Sequence, residues 1–246
     1  MKLQNKLSLP KINGKTFVVG DVHGEFGKFM DALIAKGFND KTDRVIAVGD
    51  IIDRGEHNNL MLDLLDFDWF FSVMGNHEFM PIEAWVEREN EINTEHQLKT
   101  GHLLLARWLK NGGDWFIDRS EYDFSPEGVM DSFDRIFLKL EPLVKKLSEK
   151  MPMSIEFESR LDQKIGVVHA AVPNYDWSYF DNCESLFEDS FAVWDRQQLE
   201  DPITDVKGVD FVCHGHTPMK SVTMLGNRIY LDIGLHFSGR VGIKVF

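Results

Sequence analysis

The 246-residue chain is predicted to fold as an α/β protein whose polar loops gather at one edge of a sheet. Three observations carry that prediction. Short β-branched apolar runs alternate with helical periodicity over the first 75 residues. Three of those runs end directly in glycine-framed loops: Gly20-Asp21-Val22-His23-Gly24, Gly49-Asp50-Ile51-Ile52-Asp53-Arg54-Gly55 and Gly75-Asn76-His77-Glu78. The loops bring Asp, Asn, His and Arg together in kind, and such loops meet at the carboxyl edge of an open sheet, where ligands bind.

The elements follow in order. Thr16 to Val19 reads as a buried strand. Glu25 to Lys36 is helical, with Phe26, Phe29, Leu33 and Ile34 on one face. A turn at Asn39 to Thr42 leads into a strand from Arg44 to Val48. A short helix over Asn59 to Asp66 precedes a third strand from Trp69 to Met74. This repeated strand, loop, helix order predicts parallel strands with right-handed crossovers. Pro81 to Glu95 and Gln97 to Lys110 read as helices, Asn111 to Trp115 as a sharp break, and Phe133 to Lys150 as a long amphipathic helix. With no Pro- or Ser-rich linker on either side, residues 79–150 form a helical insertion in a single domain spanning 1–246. Strands resume at Met153 to Glu158 and Lys164 to Val168. Glu184 to Leu199 is mixed and partly helical. Val209 to Cys213 is a strand, Asn227-Arg228 punctuates a hairpin, Arg228 to Ile233 is a strand, and Arg240 to Phe246 closes the sheet.

Composition narrows the function. Forty acidic against 27 basic residues give a formal charge of −13, which argues against a nucleic-acid partner. Bound divalent cations would reverse that acidity locally, so an anionic substrate still fits. Cys183 and Cys213, the two cysteines, form neither a disulfide framework nor a zinc box, and point to a reducing cytoplasm. No stretch reaches the ~18 apolar residues of a membrane span, and the apolar run near the N-terminus is too short for a signal peptide. A soluble, cytoplasmic protein is expected.

The motifs carry the chemistry. Asp21 and His23, two residues apart in an extended segment, point the same way and can reach one metal. Taken alone, this block also fits a solvated turn aspartate beside a surface histidine. Asp50 has two carboxylate oxygens and can bridge two metals. Asp53, three residues on, can accept an imidazole N–H, and Arg54 offers a planar fork for phosphate oxygens. Asn76 supplies an amide oxygen to a metal or a phosphate. His77 is then free to act as a general acid. His169 and His216 each follow an apolar strand. Counting donors gives one site of Asp21, His23, Asp50 and His216, and a second of Asp50, Asn76 and His169.

These residues resemble the calcineurin-like metallophosphoesterases, and within them the bacterial and phage protein-serine/threonine phosphatases typified by the lambda-phage enzyme. The resemblance runs in order along nearly the whole chain. It takes in the Asp-x-His, Asp-x-x-Asp-Arg and Asn-His-Glu blocks, then Asn111-Gly112-Gly113-Asp114-Trp115, His169-Ala170, Trp194-Asp195-Arg196 and Gly215-His216-Thr217-Pro218. It implies a four-layer αββα sandwich. It also implies a second phosphate-binding arginine at Arg196, Asp53 as the partner of His77, and a supporting role for Asp232. Departures are a longer stretch between Trp115 and Met153, and Ala171 in place of an aspartate. His214 fits a substrate-facing or a structural role equally. His57, His96, His102 and His236 read as surface or packing residues; Trp85, Trp108 and Trp115 fit either the lining of the site entrance or, as the favoured reading, packing of the insertion.

The resemblance implies hydrolysis of phosphoserine or phosphothreonine esters, and of phosphotyrosine as an extension, in a phosphoprotein or phosphopeptide. The expected nucleophile is a hydroxide bridging two divalent metals, Mn²⁺ first, with Fe or Zn as alternatives. Attack is direct, with inversion and no phosphoenzyme. The rival substrate is a dinucleoside polyphosphate such as diadenosine tetraphosphate, cleaved symmetrically. A non-catalytic scaffold is disfavoured because no ligand is missing. Oligomeric state and regulation leave no mark in the sequence.

Overall fold

The computed structural model describes residues 3–91, 100–182, 190–201 and 204–246. The first strand in the chain, β1 (Lys6–Leu9), falls where the sequence analysis placed none. It is four residues long and half-exposed, so it lacks the apolar run that marks the inner strands. β2 (Thr16–Val19), β3 (Arg44–Ala47) and β4 (Phe70–Ser72) are parallel neighbours, linked through α1 (Phe26–Ala35) and α2 (Asn58–Leu64) as the repeated pattern predicts.

The helical stretch begins earlier than expected. α3 runs from Asn76 to Glu91, so Asn76 and His77 open a helix and do not sit in a loop. Pro81, the expected first residue of the helix, lies inside α3, where it lacks the N–H that the helix would bond. α4 (Thr100–Lys110) and α5 (Val129–Lys150) follow, the latter starting four residues before the expected Phe133. The reading of 92–99 as helix, His96 with it, lies outside the described residues.

Next come β5 (Ser154–Glu158), β6 (Lys164–Val168), α6 (Tyr179–Asn182) and α7 (Phe191–Trp194). Cys183 and the reading of 184–189 lie outside the described residues. β7 (Phe211–His214) leads to a hairpin of β8 (Thr223–Leu225) and β9 (Arg228–Tyr230), the latter three residues shorter than expected. α8 (Leu235–Ser238) and β10 (Ile243–Val245) complete the elements.

Two sheets result. One has the order β1-β5-β6-β7-β9-β8, the other β10-β2-β3-β4. Side chains alternate across each strand, and this alternation builds the layers. Val18, Ile46, Val48 and Val73 of the smaller sheet pack against Ile155, Phe157, Ile165, Val167, Cys213 and Ile229 of the larger one. The alternate residues Phe17, Val19, Val45 and Ala47 face the other way, in the cluster that holds Phe29 and Leu33 of α1. On the larger sheet, Val168 and Val212 share that outer cluster with Trp177, Phe180 and Val193. The architecture is two packed sheets flanked by helices. Each fully buried Val, Ile, Leu or Phe contributes about 1.5–3 kcal/mol to holding the layers together.

Candidate active site and metal centre

The polar loops leave the carboxyl ends of β2, β3, β4, β6, β7 and β9, and bond to one another. Val22 and His23 both donate backbone N–H to the Asp50 carbonyl, at 3.1 and 2.8 Å. Gly215 N–H donates to the His169 carbonyl at 2.8 Å, and His216 N–H reaches both Asp21 carboxylate oxygens, at 3.2 and 3.1 Å. Eight non-glycine residues among those described have positive φ. Five are His23, Asp50, Asp53, Arg54 and His216. Such strained backbone persists only where its surroundings overdetermine it, and it clusters at functional sites.

Asp50 is the hub. Its carboxylate presents an oxygen within 4.8 Å of ligand atoms of both His23 and His77, and likewise of Asp21 and His169. Burial opposes its charge, but His169, His77 and His23 and the His77 backbone N–H outweigh burial and hold it well below the usual carboxylate range. His23 donates Nδ1–H to the Ile52 carbonyl at 3.0 Å, and His169 donates Nδ1–H to the Val48 carbonyl at 2.7 Å. Each carbonyl thereby fixes the tautomer that leaves Nε2 a lone pair facing the cluster. Burial lowers the His23 pKa to about 3 and the His216 pKa to about 3, and lowers that of His169.

The donors divide differently from the expected sets. His216 Nδ1 lies 2.9 Å from Asn76 Oδ1, and His169 Nε2 lies 3.0 Å from the same oxygen. The His216 ring therefore joins Asn76 and His169, while only its backbone reaches Asp21. The reason is the direction of the chain after β7: Gly215 carries the backbone past Asp21 and turns the imidazole toward α3.

His77 donates Nδ1–H to Asp53 Oδ2 at 2.8 Å. Burial opposes protonation of this imidazole, but Asp50 and Asp53 override it and its pKa is raised. Arg54 extends Nη1 to His23 Nε2 and Nη2 to His77 Nε2, both at 2.8 Å, so a cation already sits against this group of ring nitrogens. Arg196 is exposed at the rim, with Nε 3.2 Å from His216 Nε2.

The donor set fits divalent cations. Asp21, Asp50 and Asp232 are at most 5% exposed, and Asp50 raises the proton affinity of the other two. Burial and Asp50 push Asp232 up to about 6, and burial, Asp232 and Asp50 push Asp21 up as well. Buried carboxylates in such a group are stable when a metal shares them. Neutral imidazoles, carboxylates and an amide oxygen together suit a divalent ion of intermediate hardness.

Several working residues escaped the sequence analysis. Glu78, fully buried, accepts N–H from Asp50 and Gly75 at 2.9 Å, Ile51 at 2.8 Å and Ile52 at 3.1 Å. Burial and Asp50 push its pKa up to about 8, against four donors that favour the carboxylate. Asn58 accepts Asp53 N–H at 2.6 Å and donates to the Gly55 carbonyl at 2.7 Å. Trp108 and Trp115, read as packing, donate indole N–H to Asp53 at 2.9 and 2.7 Å. The Gly-Gly break before Trp115 was the one available signal, since packing alone does not require it. His214 is fully buried and stacked on Tyr230 at 5.1 Å, a structural place.

Comparison with known proteins accords with this geometry. A relative from Escherichia coli K12, serine/threonine-protein phosphatase 2, is 31% identical over 92% of this chain and 89% of its own. Bis(5'-nucleosyl)-tetraphosphatase PrpE [asymmetrical] of Bacillus cereus Q1 is 24% identical over 91% of this chain and 87% of its own. The crystal structure of a candidate diadenosine tetraphosphatase shares the fold, with a TM-score of 0.59 at 18% identity over 99% of this chain and 94% of that one. The calcineurin-like phosphoesterase family model matches residues 14–220. The chain therefore belongs to the calcineurin-like phosphoesterases, hydrolases that work with a pair of divalent metal ions.

Proposed function

We propose that the protein is a metal-dependent phosphomonoesterase acting on phosphoserine and phosphothreonine in proteins. The observation that carries this reading is the His77–Asp53 pair, which turns a protonatable imidazole toward the same space that Asp50, His23 and Arg54 face. Asp21, His23, Asp50, Asn76, His169 and His216 would hold two divalent cations, Mn²⁺ first among the candidates. Those ions would supply Lewis acidity and a more acidic water.

The chain's own groups do the rest. Arg54 leaves the two imidazoles and, with Arg196 from the opposite rim, binds the non-bridging phosphoryl oxygens, where charge accumulates. As a water oxygen bonds to phosphorus and the bond from phosphorus to the leaving oxygen breaks, that leaving oxygen takes the proton from His77 Nε2. Asp53 stabilises the imidazolium beforehand and holds the ring by Nδ1. Both arginines are exposed, which suits a phosphorylated side chain presented on a large partner.

The alternative substrate, a dinucleoside tetraphosphate, is favoured by the relative and the fold neighbour that bear that activity in their names. The Mn²⁺-loaded enzyme should cleave a phosphoserine peptide with kcat/KM well above that for diadenosine tetraphosphate. The reverse order would transfer the assignment to the nucleotide. Hydrolysis of neither, in metal-free protein reloaded with Mn²⁺, would remove the enzymatic reading.

A further inference from the structure

We propose that Trp108 and Trp115 are positioning residues for proton transfer: their two indoles clamp the Asp53 carboxylate so that His77 presents Nε2 to the leaving oxygen. This rests on the reading of His77 as general acid, and concerns how the helical insertion takes part in that chemistry.

The geometry is specific. Asp53 is 0% exposed, and each of its oxygens is addressed by a side-chain donor. Oδ2 accepts His77 Nδ1–H at 2.8 Å and Trp108 Nε1–H at 2.9 Å, while Oδ1 accepts Trp115 Nε1–H at 2.7 Å. An indole N–H can only donate, so both tryptophans favour an unprotonated, acceptor-only Asp53. His77 Nδ1 must then be the donor in its bond to Asp53, and Nε2 is the nitrogen left for chemistry. Burial raises the Asp53 pKa, and the three donors, His77 first, work against that rise.

Both tryptophans come from the insertion: Trp108 from the last turns of α4, Trp115 from the single 3₁₀ turn Gly113–Phe116 after it. Gly113 lies flat on the Trp108 ring, where an added Cβ would come within 2.4 Å of an indole carbon. The break that aims Trp115 thus also packs Trp108. Without Trp115, Oδ1 loses its side-chain donor and the carboxylate is free to turn about its Cβ–Cγ bond, taking the imidazole with it.

A merely structural clamp would lower stability and slow every substrate alike. A positioning clamp acts only when the leaving group needs a proton. The test compares Trp115→Phe, which keeps a ring at this half-buried place, and Trp108→Phe with wild type and Asp53→Asn. Substrates are a phosphoserine peptide and p-nitrophenyl phosphate, with Mn²⁺. Trp115→Phe should lower kcat on the peptide about tenfold, the scale of one hydrogen bond to a charged group. It should change kcat on the aryl ester less than twofold, and leave KM for both nearly constant. Asp53→Asn should show the same split, larger.

Proton NMR of the metal-free protein gives a readout independent of turnover. The downfield Nδ1–H resonance of His77, identified by its loss in His77→Asn, should move or broaden in both tryptophan variants. Equal losses on both substrates, no loss on either, or an unmoved imidazole resonance would each overturn the proposal. If Asp53→Asn itself shows no split, the acid assignment fails. If wild type cleaves neither ester, the phosphomonoesterase reading fails and the clamp has no reaction to serve.

Discussion

Glu78 Oε2 accepts the backbone N–H of Asp50 at 2.9 Å, across 28 residues of sequence. Through this carboxylate the first turn of α3 holds three consecutive N–H groups of the loop that carries Asp50 and Asp53. The residue after His77 therefore shapes the metal hub through the backbone of Asp50 and not through its carboxylate. Glu78→Gln keeps the volume but turns an NH₂ toward backbone donors. An unsatisfied buried donor costs about 1–3 kcal/mol, so chemical denaturation should show a loss of about 2 kcal/mol. Calorimetric titration should show weaker Mn²⁺ binding in the same variant. Unchanged stability together with unchanged affinity would mean that the loop holds its shape by other means.

Metal should stabilise the fold. Asp21, Asp50 and Asp232 repel one another in a buried space, and cations that bind only the folded arrangement relieve that repulsion. A ligand at a hundred times its Kd adds about 2.7 kcal/mol. The thermal midpoint should rise by several degrees with Mn²⁺, and chelator should return it to the metal-free value. Asp50→Asn should abolish most of the rise, because that carboxylate belongs to both donor groups. A midpoint indifferent to Mn²⁺ would contradict the donor set.

A pH dependence arises at the far end of the larger sheet, away from the site. Glu156 accepts Trp177 Nε1–H and Ser8 Oγ–H, both at 2.9 Å, and pairs with Lys6 at 3.2 Å and Lys164 at 3.3 Å. Burial works against its charge, but these partners win and lower its pKa to about 2. A carboxylate depressed in the folded state contributes stability that is full above its unfolded pKa, near 4.5, and is lost as pH falls toward 2. Allowing for solvent screening, the contribution is about 1 kcal/mol. Glu156→Gln should be less stable than wild type by that amount at pH 7, with the gap closing between about pH 4.5 and pH 2. A gap that stays constant across that range would show that the charge is not responsible.

Much of this was legible beforehand, for definite physical reasons. Strands buried on both faces, such as Val45 to Ala47, announce themselves as apolar runs, and the glycine-framed loops after them announce their ligands. β1 gave no such signal, because an edge strand with one half-exposed face lacks the run. The helix starting at Asn76 was hidden because Gly75 and Pro81 both read as breaks, whereas Glu78 satisfies the Gly75 N–H from within the first turn. The roles of Trp108 and Trp115 could not be read from residue types, since an indole aimed at a carboxylate and one packed in a core look alike in sequence. The grouping of His216 with Asn76 depended on a chain direction that spacing does not encode.

Gly112 offers the sharpest test of how the insertion meets the site. Its φ is +112°, and its carbonyl accepts the Arg54 backbone N–H at 3.1 Å. A Cβ there would stand 2.8 Å from Arg54 Cγ and 2.9 Å from Arg54 N, so Gly112→Ala meets both strain and backbone. Arg54 is itself held at φ +70°, leaving the turn little room to yield. Strain of this kind costs about 1–3 kcal/mol, and denaturation should show a loss in that range. Because the displaced residue is Arg54, proposed here to bind the phosphoryl oxygens, KM for every phosphoester should rise about tenfold, and it should do so for p-nitrophenyl phosphate as much as for a phosphopeptide. That pattern is the opposite of the one expected for the tryptophans. A variant with normal KM and altered leaving-group selectivity would place the insertion's grip on Asp53 instead of Arg54.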